Sequence, residues 1–284
     1  MKVYLLGLIS FLIALAAGAQ QKPAYVLYNA KGKKVGYDKM IRKLIKQDVV
    51  LIGELHNNPI IHWLQLEITK DASQQRTLVL GAEMFERDNQ TAIDKYLQGS
   101  LTAKGLDTSA RLWNNYRTDY APLLNFAKSN KLPFIATNIP RRYASMVNKG
   151  GFNALDTLSA LEKSWIAPLP FAFDSTLPGY TNMLTMMGGH GSSTIVKAQA
   201  TKDATMAHFI LQHASPGSLF IHYNGSYHSD NHDGIVWYLR KARPKLRIAN
   251  ISTVMQKNVS RLLDENKMKA DYIVCVDEDM TTTY

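Results

Sequence analysis

The sequence holds a single cysteine, Cys275, in 284 residues. No internal disulfide can form, and no cysteine stands near the start to carry a lipid, so a lipoprotein is excluded. Cys275 lies in the largely apolar run Asp271–Val276 and is expected to be a small hydrophobe of a core strand. Apolar runs long enough for a bilayer, roughly 20 residues, are also missing, so no transmembrane span is expected in the mature chain. There is no low-complexity stretch, no compact His-Glu-x-x-His, and no repeat beyond one pair of short elements described below. Acidic residues are in deficit, with 23 Asp and Glu against 33 Lys and Arg, for a formal charge of +10. A basic surface favours anionic partners. The cations are scattered rather than bunched, however, and no nucleic-acid motif accompanies them, so nucleic acid is not an expected partner.

What is present begins with a leader. Lys2 precedes the apolar stretch Val3–Leu15, followed by Ala17-Gly18-Ala19 and the polar Gln20-Gln21-Lys22. This is the composition of a secretory signal peptide, with cleavage expected near Ala19 and a destination outside the cytoplasm, periplasmic or secreted. The remaining 20–284 read as one α/β domain: a mainly parallel β-sheet flanked by helices, with a helical cap inserted at 150–198. Short β-branched runs at Asp48–Ile52, Thr77–Ala82, Pro133–Thr137, Gly217–Tyr223, Lys245–Ser252 and Ala270–Val276 alternate with helical patterns. Asn57, Asn58 and Pro59 form a helix-start signal, and Pro140 forms another just before Arg141 and Arg142. Within the cap, aromatic, proline, methionine and glycine residues crowd together and run into Gly188-Gly189-His190-Gly191. A long segment of that kind suits a lid or binding element.

The pair of repeated elements is Gly53-Glu54-Leu55-His56 and Gly225-Ser226-Tyr227-His228, each at the exit of a candidate strand. Open α/β sheets bind ligands along the edge where their parallel strands end. Glu83, in Gly81-Ala82-Glu83, leaves a third strand at the same edge. His56, Glu83 and His228 therefore form a set able to hold a divalent cation, or one in which glutamate orients histidine for proton transfer. His222 reads as a satisfied core histidine and His232 as a capping residue. Glycines on both sides of His190 permit close approach by a large flat ligand. Tyr116, Tyr120 and Tyr180 can offer a phenolate to ferric iron. Arg141, Arg142 and Lys149 can meet carboxylates such as propionates.

In this order the motifs resemble those of the ChaN-like haem-binding uptake proteins, within the wider Tiki, TraB and erythromycin-esterase-like superfamily. The elements concerned are Val49–Pro59, Gly81–Arg87, Tyr120-Ala121-Pro122, Ala198-Gln199 with Asp203 and Met206-Ala207, and Gly225–His228. The resemblance implies an exported protein that binds haem as a homodimer and works with envelope haem-transport components. It further implies two haems face to face across the dimer, each iron taking a tyrosine from one subunit while histidine and lysine of the other hold propionates. Tyr180, close to the methionine and His190 segment, is the first choice for that tyrosine. Capturing haem needs no catalysis. The Tiki branch implies a competing activity, a metal-dependent hydrolase in which His56, Glu83 and His228 hold Mn, Co or Zn and Glu54 serves as general base.

Overall fold

A computed structural model describes residues 22–186 and 193–284. The leader and His190 lie outside the described residues. Seven strands form one sheet in the order β1-β7-β6-β2-β5-β3-β4. They are β1 (Tyr25–Asn29), β2 (Val49–Glu54), β3 (Thr77–Glu86), β4 (Phe134–Asn138), β5 (Ser218–Gly225), β6 (Ile248–Gln256) and β7 (Tyr272–Asp277). Every neighbouring pair is parallel except β1 with β7. The helices are α1 (Tyr37–Leu44), α2 (Pro59–Ser73), α3 (Gln90–Leu97), α4 (Ala103–Ser109), α5 (Ala121–Ser129), α6 (Arg141–Gly150), α7 (Ala160–Lys163), α8 (Pro178–Met186), α9 (Ser193–His213) and α10 (Ile235–Ala242). A parallel strand can be followed by another only through a crossover, and these helices supply the crossovers on both faces of the sheet.

All six residues of β2 are buried, as suits a central strand covered on both sides. One face packs Val50 and Ile52 against Ile61, Leu64 and Ile68 of α2 and Leu123 and Leu124 of α5. The other packs Val49 and Leu51 against Met206, Phe209 and Ile210 of α9 and Val236 and Leu239 of α10. The α2 start follows the signal in the sequence, since Asn58 Oδ1 accepts from the Ile60 and Ile61 N–H groups and Pro59 opens the helix. Three differences from the sequence reading concern limits. The strand β1 was not expected. The strand β3 continues four residues past Ala82 and carries Glu83 within it. The helix α9 starts at Ser193, ahead of the 198 limit placed on the cap. Between α6 and α9 the chain is short turns and helices with no strand among the described residues, and Phe152 meets both Phe171 and Phe173 there edge to face.

Candidate functional site

The two Gly-x-x-His elements leave neighbouring strands. In the parallel β2–β5 pairing Glu54 stands opposite Gly225, so His56 and His228 emerge side by side at the C-terminal edge. Close packing there requires glycine. A β-carbon on Gly53 would come within 2.8 Å of the Ile251 carbonyl oxygen, and one on Gly225 within 2.8 Å of His56 Nε2. The His56 ring thus lies directly against the second element's glycine.

Two buried carboxylate clusters support these histidines. In the first, Glu54 Oε1 accepts from Tyr120 Oη at 2.8 Å and from His56 Nδ1 at 2.9 Å. Gln65 Nε2 donates to its other oxygen at 2.6 Å. The Glu54 side chain is fully buried, whereas that of His56 is 35 % exposed; the carboxylate fixes Nδ1, and Nε2 lies against Gly225. Burial disfavours the charged imidazole, but the Glu54 bond and the Glu83 and Glu54 charges outweigh it and raise the His56 pKa. Trp113 meets the ring edge-on at 4.9 Å between centroids.

In the second cluster His228 lies between two acids. Its Nδ1 donates to Asp203 Oδ1 at 2.5 Å and its Nε2 faces Glu83 Oε1 at 3.1 Å. The second oxygens are also engaged: Gly225 N–H donates to Glu83 Oε2 at 2.7 Å, and Tyr180 Oη to Asp203 Oδ2 at 2.8 Å. Burial opposes charge on His228, yet Glu83 and Asp203 push its pKa up to about 9. Burial alone would raise Glu83, but the charge and bond of His228 hold it below the usual carboxylate range. Asp203 stays raised, because burial exceeds the help His228 gives it. The result is an imidazolium clamped between carboxylates, with the Gln199 amide nitrogen 3.0 Å from Nδ1.

His56, Glu83 and His228 therefore converge, but Glu83 and His228 spend their polar atoms on each other and on further partners. Among the described residues no group of three or more His, Cys, Asp and Glu is arranged to hold a metal ion. The tyrosines expected to reach iron are placed inward. Tyr120 and Tyr180 are 1 % and 3 % exposed and donate to carboxylates, while Tyr116 is buried with its ring edge-on to Phe85. Burial pushes all three phenols up, which disfavours phenolate. Arg142 is tied to Asp88 at 2.5 Å, whereas the Arg141 and Lys149 side chains are exposed. His222 is a core residue, as expected: Asn224 and Thr137 occupy its nitrogens at 3.0 and 2.7 Å, and burial drops its pKa to about 4.

Sequence reasoning missed His62, Gln65 and Asp119, which brace Glu54 and the His56 turn, and it listed Asp203 only as a motif position. Spacing was the available signal for two of them. Asn58, His62 and Gln65 recur at helical intervals on the buried side of α2, where polar residues are out of place unless they serve a site.

Fold and site together define an α/β protein with a polar, carboxylate-braced histidine pair at the rim of a mostly parallel sheet. The chain belongs to the haem-binding uptake family of the Tiki superfamily, ChaN, whose family model matches residues 40–239. ChaN of Campylobacter jejuni, solved with cofacial haem binding, superposes with a TM-score of 0.69 at 18 % identity, covering 91 % of this chain and 99 % of that one. A Bacillus cereus protein gives 0.51 at 10 % identity over 84 % of this chain and 90 % of its own. At such identities these likenesses show the fold. The chloroplastic protein RETICULATA-RELATED 5 of Arabidopsis thaliana is 27 % identical over 202 residues, 64 % of this chain. The chain spans only 27 % of that relative's length.

Proposed function

We propose that this protein is an exported component of iron or haem acquisition that holds an iron porphyrin at the C-terminal edge of its sheet, enclosed between two copies of the chain. Membership of the haem-binding family carries the reading. The chemistry of the rim fits such a cargo. His56 and Trp113 meet edge to face there, and the exposed Arg141, which opens the helix after β4, and Lys149, near that helix's end, are cations suited to propionates. With the phenols of Tyr120 and Tyr180 committed to carboxylates, His190 in the α8–α9 connection is the iron ligand of this reading. The helix that leads to it is fastened over the site by Tyr180 on Asp203 and by Gly179 N–H on Asp233 Oδ2 at 2.9 Å. Export rests on the leader composition, and no helix among the described residues is long and apolar enough to cross a membrane.

Titration of the purified chain with hemin tests this. A saturable Soret change at micromolar protein is expected, with His190→Ala altering the band position of the complex. Absence of any saturable change defeats the proposal. Metal-assisted hydrolysis, the competing activity, has less support, because Glu83 and His228 are joined to each other and His56 to Glu54. Metal analysis and an ester or peptide assay on the same sample would reveal it.

A further inference from the structure

The chain beyond β7 turns back across the edge of the sheet and reaches the site. Met280 packs against the main core. Thr283 N–H then donates to the Asn57 carbonyl at 2.9 Å, and Thr283 Oγ1 donates to Asp119 Oδ2 at 2.8 Å. Tyr284, the next residue, is 68 % exposed.

These contacts land on the turn that carries His56. The His56 carbonyl accepts from Asn115 Nδ2 at 3.0 Å and His62 Nε2 at 3.1 Å, and the next carbonyl, that of Asn57, accepts from Thr283. Asp119 joins the two sets: it accepts from Asn115 Nδ2 at 2.7 Å and lies 3.5 Å from His62 Nε2. Donors from α2 and from the 115–120 turn come from the packed body of the domain. The donor from Thr283 comes from a segment with little burial of its own, since Thr281, Thr282 and Tyr284 are not buried. Elements of that kind open at low free-energy cost while their surroundings stay folded.

We propose that Asp279–Tyr284 is a strap that latches the His56 turn and closes its flank of the site, and that a ligand gains access when the strap lifts. Thr283 ties the strap to the His56 turn through its backbone N–H on the Asn57 carbonyl and to Asp119 through its side chain, so release is local and reversible. The inference does not depend on what the ligand is.

Carbethoxylation of His56 by diethyl pyrocarbonate, followed by mass spectrometry of the ligand-free protein, reads access directly. A chain ending at Met280 should react about tenfold faster at His56, the ratio that corresponds to about 1.4 kcal/mol and so to the net worth of one or two hydrogen bonds. Amide exchange at residues 55–58 should quicken in parallel, while His208 on α9 keeps its rate. Thr283→Val should produce part of the increase and Thr283→Ser should restore the parent rate. Unchanged His56 reactivity and unchanged exchange in the shortened chain would overturn the proposal. Because no porphyrin is used, failure of hemin binding leaves this test intact.

Discussion

At the scale of the residue, His228 is the most consequential side chain, since it is the cation that makes two buried carboxylates tolerable. An imidazole with pKa about 9 in the fold, against an ordinary 6.5, contributes stability fully below 6.5 and loses it as pH rises through 9. Glu83 works in the opposite direction: its lowered pKa contributes above its ordinary 4.5 and is lost on acidification. Asp203, with a raised pKa, subtracts stability once the pH exceeds its ordinary 3.8. Thermal stability should therefore be greatest at mildly acidic pH, between the ordinary values of Glu83 and His228, and should decline toward pH 9 by an amount on the order of 3 kcal/mol. In His228→Gln most of the alkaline decline should be lost, the raised pKa of His56 leaving a smaller part, and stability at pH 6 should fall by about 3–5 kcal/mol because both acids lose their partner. A melting profile for that variant that declines as steeply as the parent's between pH 6.5 and 9 would show that another group is responsible. The pairing of His56, Glu83 and His228 was legible in the sequence, because Gly-x-x-His after a strand fixes both the place and the reach of the side chain. The partners of those residues were not, because Asp203 and Tyr180 arrive from helices whose docking no local pattern encodes.

At the scale of the element, the sheet ends at β1 and β4, and free edges invite pairing with other chains. The edge of β4 is closed by side chains that imitate a neighbouring strand. Gln90 Nε2 donates to the Phe134 carbonyl at 3.0 Å, Gln90 Oε1 accepts from Ala136 N–H at 2.7 Å, and Arg87 Nη1 reaches the Ala136 carbonyl at 3.5 Å. Gln90→Ala removes both amide bonds, which should lower stability by about 1–2 kcal/mol and expose one N–H and one C=O of β4. Sedimentation velocity across rising protein concentration should show self-association absent from the parent. Gln90→Glu, which keeps the acceptor for Ala136 N–H but loses the donor for Phe134, should lie between the two. If Gln90→Ala remains monodisperse at every concentration, the side chain is not what keeps the edge closed. The parallel strands and the α2 and α6 starts were readable because alternating apolar runs and Asn-Pro or Pro signals are local. The antiparallel β1 was not, because the five residues Tyr25–Asn29 carry little pattern of their own.

At the scale of the whole molecule, the question is how a single copy could shield a porphyrin. Three cavities among the described residues, of about 480, 650 and 680 Å³, lie along residues 152–170, beside Arg87 and Trp165, and around Met255–Glu265. None of the three is lined by His56, Glu83 or His228. In the proposed reading the rim meets one side of a planar guest and the rim of a second copy covers the other. Tight small-molecule sites bury most of the ligand, commonly about 70–90 % of its surface. If two copies supply the enclosure, hemin and dimerisation are linked by mass action: ligand that binds only the dimer must drive its formation, and affinity must depend on protein concentration. Sedimentation with stepwise hemin should show conversion to a dimer that saturates at one hemin per chain. Dilution at that fixed ratio should release hemin, and the midpoint should move in proportion to the chain concentration. A hemin complex that sediments as a monomer and keeps its affinity on dilution would mean that one copy suffices.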